Sequence, residues 1–306
     1  MKKTIILSRL RWCFPSFLLA AMLAMPGCDT EEEPIPGYLR IEQFEVLPTN
    51  PEVHGSVSDK ITNARVFLLD KNTGASHSLG VMTLPATVPS LATGEQEIVI
   101  DPMIRANGNT LYMQIYPFYK RFSQNINLPP NGDLTVWPKT AYIDSAEYKF
   151  VEDFEGPDHL FDVDRDDNPA TFIEISQDDV YEGEYSGKIV LDTANNVIVA
   201  ASKHVYTLPF NEVGKVFMEV NYKTDVPLEF GVLNIDNNGN EFPNFEFIVL
   251  PRYEWNKIYF DMTDIIATAS FNRFVFIMRA GIPVENGSPT LNRAEIYLDN
   301  IKLIHF

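Results

Sequence analysis

Cysteine is nearly missing from this sequence: Cys13 and Cys28 are the only two in 306 residues. A pair can form one bridge at most, which excludes a disulfide framework and leaves no cysteine cluster for structural zinc. The five histidines, His54, His77, His159, His204 and His305, show no zinc-ligand spacing. H-E-x-x-H, G-x-S-x-G and a glycine-rich phosphate loop are also absent, which removes the enzyme classes those motifs mark. Basic residues are few: 24 Lys and Arg stand against 42 Asp and Glu, a net charge of -18. Residues 1 to 27 carry Lys2, Lys3, Arg9 and Arg11 and no acid, so without them the balance is more negative still. A surface this acidic repels phosphate backbones, and nucleic acid is not an expected partner. Helical periodicity is confined to "MTDIIATAS", with Thr263 or Asp264 as cap, and even that segment reads equally as a single turn between strands.

The amino terminus has a positive segment, "MKKTIILSRLR", an apolar core, "FLLAAMLAM", and small Gly27 before Cys28. This is the pattern of a secretory signal, and its apolar run falls short of the about 20 residues needed to span a bilayer. Cleavage before a cysteine is what a lipobox specifies, so residues 1–27 resemble a bacterial lipoprotein signal, with Met25 and Pro26 departing from the commoner Leu and Ala or Ser. The resemblance implies that Cys28 becomes the diacylated, palmitate-bearing first residue; the alternative is an ordinary signal peptide with a cysteine nearby. No thiol would then remain in the mature fold for a disulfide, a metal or a nucleophile.

The acids that follow, Asp29, Glu31, Glu32 and Glu33 in "CDTEEEP", resemble the lipoprotein export signal of Bacteroidota. That implies an outer-membrane lipoprotein exposed at the cell surface; the alternative is a solvated charge run in a linker. Two prolines flank Ile35, so residues 28–37 read as a stiff lipidated tether.

Strand signals dominate the rest. "KVFMEVNYKT" alternates Val216, Met218, Val220 and Tyr222 with Phe217, Glu219 and Asn221, and "RFVFIMRAG" alternates Phe274, Phe276 and Met278 with Val275, Ile277 and Arg279. Period two over this length predicts half-buried strands. Similar runs are "ARVFLLD", "QEIVID", "LEFGVLNID", "KIYFDM" and "AEIYLDNIKLI", separated by turn signals such as "NTG", "PPNG" and "DNNGN". Short strands with polar turns predict an all-β protein of two antiparallel β-sandwich domains in tandem, at residues 38–147 and 148–306.

In the first domain, "ARVFLLDKNTG" followed by "LPATVPSLATGEQEIVIDP" resembles a small PEGA-like or transthyretin-like Ig-type sandwich, which implies a spacer or interaction role and no chemistry. Its "YPFYKRF" segment joins Tyr116, Phe118, Tyr119 and Phe122 to Lys120 and Arg121. Aromatics in a small sandwich are mostly core, and packing is the preferred reading over contacts to a glycan or partner.

In the second domain, "VEDFEG", "YEGEYSGKIVLD", "YEWNKIYFDMTDI" and "AEIYLDNIKLI" resemble, in that order, a galactose-binding-like jelly roll of the carbohydrate-binding-module type. The resemblance implies first and last strands meeting at one edge, and a structural Ca²⁺ held by Glu152, Asp153, Glu155 and Asp299 away from the binding face. Carboxylates suit a cation that takes six to eight oxygens; the alternative is that Asp299 and Asn300 satisfy backbone groups at a strand end. "DVDRDDNPA" fails as an EF-hand loop, because Asp167 and Ile173 stand where Gly and Glu are required.

A sugar-binding face needs aromatic planes for pyranose rings and polar groups for hydroxyls. The candidates are Tyr253, Trp255, Tyr181, Tyr222, Arg279 and Asn234, with Tyr185, Tyr206, Asp236 and Asn244 beside them. The expected function is a non-catalytic surface lipoprotein that binds carbohydrate or acts as an adhesive accessory module. One alternative is a structural or assembly lipoprotein that binds surface proteins. A second is a carbohydrate-active enzyme, which requires two carboxylates facing each other at roughly 5 to 10 Å across a cleft.

Overall fold

The computed structural model describes residues 33–208 and 214–306. The signal segment and Cys28, Asp29, Glu31 and Glu32 lie outside the described residues; Glu33 is exposed. Strands dominate as the alternation predicts, and the protein is all-β, with antiparallel pairing nearly throughout. No helix among the described residues is long and apolar enough to cross a membrane. The "MTDIIATAS" segment forms one short helix, Thr263–Ala267, whose N-cap is Met262 rather than Thr263 or Asp264.

The amino-terminal sandwich is built on a five-stranded sheet, Ser76–Thr83, Asn63–Asp70, Gly94–Arg105 and Met113–Ile115 in order, with Phe122–Leu128 also paired to Gly94–Arg105. A three-stranded sheet, Ala86–Ser90, Gly37–Ile41 and Asp133–Val136, lies against it. Alternation decides what is buried: Ala64, Val66 and Leu68 share a core with Leu39, Ile41, Ile98 and Ile100. Arg65 points the other way and shares the carboxylate of Asp101 with Arg121, at 2.8 and 2.6 Å.

The carboxy-terminal sandwich has two six-stranded sheets. One runs Glu174–Ser176, Ser186–Asp192, Arg293–His305, Val216–Thr224, Arg252–Asp261, with Glu147–Glu152 paired to the far end of Arg293–His305. The other runs Val163–Asp164, Val197–Ala201, Arg273–Gly281, Leu228–Ile235, Glu241–Val249, with Tyr206–Thr207 on Arg273–Gly281. The core between them takes Val216, Met218, Val220 and Tyr222 from one strand and Phe274, Phe276 and Met278 from another.

Two sequence signatures have structural reasons. In "YLDNI" the core phase shifts, from Ala294, Ile296 and Leu298 to Ile301 and Leu303. A bulge absorbs the extra residue: pairing slips between Glu219 and Asn221, and Asn300 takes φ 49°. Asn tolerates this left-handed backbone better than other non-glycine residues, and a bulge lets both ends of a long strand keep their apolar side inward. In "EYSGK" a Cβ on Gly187 would sit 2.5 Å from the ring of Phe154, so the glycine admits the "DFEG" phenylalanine to the core.

The first sandwich does not hang free of the second. Phe217, Tyr259 and Ile304, on the outer face of the first six-stranded sheet, belong to the same core as Tyr116, Phe118, Tyr119 and Tyr142. Ring centroids of Tyr116 lie 5.2 Å from Phe217 and 4.9 Å from Tyr259, at spacings where aromatic pairs attract. Residues 36–306 therefore form one compact unit. The "YPFY" aromatics are core, as the packing reading has it, and Arg121 and Lys120 pair with Asp101 and Asp144. The Val216–Thr224 strand is a correction: it is buried on both faces through Tyr222 rather than on one.

Candidate functional site

The outer face of the sheet carrying Arg293–His305 is divided. Under the first sandwich, Glu219 is fully buried and accepts from Tyr116 Oη at 2.5 Å, Tyr142 Oη at 2.8 Å and Lys257 Nζ at 2.6 Å. Burial raises the Glu219 carboxyl, but Lys257 and Lys302 outweigh it and hold it below the usual carboxylate range. A Ser56–Ser58 segment of the first sandwich closes this region: Ser58 Oγ donates to Asn221 Oδ1 at 2.8 Å, and Lys302 Nζ donates to the Ser56 carbonyl.

Beyond Asn221 and Asp299 the same strands emerge into an open groove of about 370 Å³, lined by Asp178, Asp179, Lys223, Asp225, Tyr253, Glu295 and Tyr297. Tyr297 is its floor, because Lys188 and Lys223 stand opposite it on both neighbouring strands. Their ammonium groups lie 5.7 and 5.5 Å from the Tyr297 ring centroid, within cation–π range. Burial, followed by the neighbouring Glu295, pushes the Tyr297 hydroxyl up to about 12, so it is a neutral donor to Glu295 at 3.0 Å.

Tyr253 lines the groove, and Trp255 and Tyr181 stand beside it. Trp255 Nε1 donates to Asp179 Oδ1 at 2.7 Å, which fixes the indole, and its ring lies 5.7 Å from Tyr181 and 6.4 Å from Tyr297. Tyr253 is 76% exposed and Tyr181 39% exposed, leaving ring surface for a ligand. Asp179 also pairs with Lys223, and Asp178 with Lys188. The Lys188 ammonium holds the Asp178 carboxyl below its ordinary range, and Arg293 does the same for Glu295. The groove thus offers ring planes ringed by ionised carboxylates and ammonium groups, a set suited to a hydroxyl-rich, apolar-faced ligand.

Of the six foremost candidates, Tyr253 lines the groove, Trp255 stands next to it on Asp179, and Tyr181 packs behind on Trp255. Tyr222 is corrected: it is 4% exposed and points into the core, with its hydroxyl bonded to Asn256. Arg279 and Asn234 lie on the other sheet, away from this groove. Arg279 pairs with Glu229 and stands 4.3 Å over the Phe245 ring, while Asn234 donates to the carbonyls of Phe271 and Arg273. Tyr206 packs on Phe150 and Phe276, and Asp236 accepts from the turn amides of Asn238 and Asn240. Sequence reasoning missed Tyr297, Lys223, Lys188 and Asp179. The available signal was a tyrosine and lysines at the non-core positions of otherwise apolar strands.

The first and last strands of the second sandwich do pair, Glu152 opposite Ile301. The acids expected to hold calcium do not assemble there: among the described residues no group of three or more His, Cys, Asp or Glu is placed to hold a metal ion. Glu152 accepts from the amides of Phe154 and Leu160, Asp153 from Glu155, and Glu155 from Glu184 and Tyr185. Asp299 Oδ2 accepts from the Glu182 amide, and its Oδ1 is buried without a partner.

No protein-family model matches the sequence, and no curated protein matches it. Solved structures similar to it include the CBM22-1 xylan-binding domain from Paenibacillus barcinonensis Xyn10C, at 14% identity over 53% of this chain and 97% of that one, TM-score 0.36. The CBM22-2 xylan-binding domain of the same protein is 17% identical over 51% and 99%, TM-score 0.36. The family 11 carbohydrate-binding module of cellulosomal cellulase Lic26A-Cel5E of Clostridium thermocellum is 16% identical over 52% and 95%, TM-score 0.35. Over about half of the chain, then, the similarity is to carbohydrate-binding-module β-sandwiches.

Proposed function

We propose that this protein is a non-catalytic carbohydrate-binding surface lipoprotein, whose glycan lies in the groove lined by Tyr253 and Tyr297, beside Trp255 and Tyr181. The observation that carries the reading is the fixed indole of Trp255 beside exposed Tyr253, with carboxylates and ammonium groups ordered around them. Aromatic rings stack on the apolar faces of pyranoses while paired charges take the hydroxyls. The sequence motifs that resemble a carbohydrate-binding jelly roll agree with it. The reading includes anchoring through Cys28 at the outer membrane, facing outward.

A binding role is favoured over glycoside hydrolysis because a glycosidase needs one carboxyl of its pair held protonated. Asp178 and Glu295 are shifted the opposite way, by Lys188 and Arg293. The deciding experiment is a pull-down on insoluble polysaccharides together with a glycan array, using the chain from Tyr38 onward. Saturable retention on at least one neutral polysaccharide, with no release of reducing ends, is expected. No retention on any of them moves the reading to a structural or assembly role.

A further inference from the structure

A second cavity has the opposite character. It holds about 400 Å³ where the first sandwich meets the Arg252–Asp261 edge strand, and it shares no lining residue with the groove. The Gly94–Arg105 strand runs into it, and the following turn is pinned to the edge strand by the Asn107 amide on the Tyr259 carbonyl at 2.8 Å. Its lining includes Lys60, Arg105, Arg252 and Lys257 and no Asp or Glu. Lys257 is turned inward to Glu219. The other three make no ion pair with any described residue, although acids outnumber bases 42 to 24 in this chain.

Three cations converging without a carboxylate repel one another. Burial, then Arg252 and Arg105, lower the Lys60 ammonium from its ordinary value. Arg105 Nε is buried with no hydrogen-bond partner, a donor that folding has taken from water and given nothing in return. An anion in the cavity relieves the repulsion, meeting Arg105 through the guanidinium edge that lines it. Ile248, Leu250 and Ile258 add an apolar wall, and the volume falls within the ~300–1,000 Å³ of small-molecule sites.

We propose that this junction cavity binds the carboxylate or sulfate group of a small organic anion, about the size of one acidic monosaccharide. Arg105 and Arg252 take the anionic oxygens through charge-assisted hydrogen bonds, Lys60 adds the third charge, and the aliphatic wall receives the rest of the ligand. The groove, rimmed by four acids, disfavours such a ligand, so the two sites select opposite chemistries.

The test is isothermal titration of the protein at low ionic strength with glucuronate, glucose 6-sulfate, inorganic sulfate and uncharged glucose. The anionic sugars are expected to bind at one site and glucose not, with affinity falling as salt rises. Equal binding of inorganic sulfate means the oxyanion alone is recognised, and weaker binding means the sugar body is read as well; either supports the site. Arg252→Gln, at an exposed position that leaves the core untouched, and Arg105→Gln should each cost about tenfold or more in affinity. Anion binding no stronger than glucose binding, or unchanged in an Arg105→Gln/Arg252→Gln double variant that retains the wild-type melting temperature, overturns the proposal.

Discussion

The outer face of one sheet carries two regions built alike and used differently. On the Val216–Thr224 strand, Phe217 and Glu219 lie under the first sandwich, while Lys223, on the same face, lines the groove. On the neighbouring edge strand the same division separates Tyr259 from Tyr253. Both regions pair aromatic rings with lysines and carboxylates. What separates them is coverage: the first sandwich seals one half and turns its charges into a buried network, while the other half keeps its rings and charges toward solvent.

The largest expected effect comes from breaking the sealed half. Glu219→Ala removes the one carboxylate that compensates Lys257 and accepts from two tyrosine hydroxyls. A buried ion pair that loses one partner costs about 3–5 kcal/mol, because the remaining charge stays desolvated. Urea denaturation should show a loss of that order, with polysaccharide retention intact under conditions where the variant is folded. A loss below about 1 kcal/mol would mean that water reaches this network and that the two sandwiches are not sealed together.

In the open half the effect should appear in binding and hardly in stability. Trp255→Ala removes a large ring held beside the groove, and anchor residues of this kind cost about 2 kcal/mol or more, roughly thirtyfold in Kd. Tyr253→Ala, at an exposed position, should weaken binding while leaving stability within about 0.5 kcal/mol. Retention unchanged in both variants, measured by affinity electrophoresis on a retained polysaccharide, would falsify the groove as the glycan site.

The same division explains what could be read in the sequence. Period two places Val216, Met218 and Val220 in the core correctly, because that burial is set within the strand. It also assigns Glu219 to a solvent face, and the structure buries it completely. Its cover comes from Tyr116 and Tyr142, distant in sequence, and no periodicity within a strand carries that information. Phe217 was the local hint, an aromatic on the face that should have been wet. Trp255, Tyr253 and Tyr181 could be proposed by residue type, whereas Tyr297 and Lys223 become a floor and its rim only through register across three strands. Asn234 and Arg279 were chosen by type too, and the second sheet takes them away from the groove.

A pH-dependent effect sharpens the border between the halves, where Asp299 and Lys302 stand on either side of the Asn300 bulge. Burial raises the Asp299 carboxyl to about 7, and burial with the nearby Lys257 lowers the Lys302 ammonium to about 7. Asp299 holds its proton more tightly folded than unfolded. Its contribution is fully present below its ordinary value of 3.8 and is lost as pH rises to about 7. Lys302 loses its proton more easily folded than unfolded, so its contribution is present above 10.5 and is lost as pH falls to about 7. Together they place a minimum of stability near neutrality, with slopes of at most about 1.4 kcal/mol per pH unit from either group. Denaturation midpoints measured from pH 4 to 10 should show that dip. Asp299→Asn should flatten its acid side alone and Lys302→Met its alkaline side alone. A profile rising steadily through pH 7 in the wild type would mean that both groups reach solvent, and that the Ser56–Ser58 segment does not close the border between the covered and open halves.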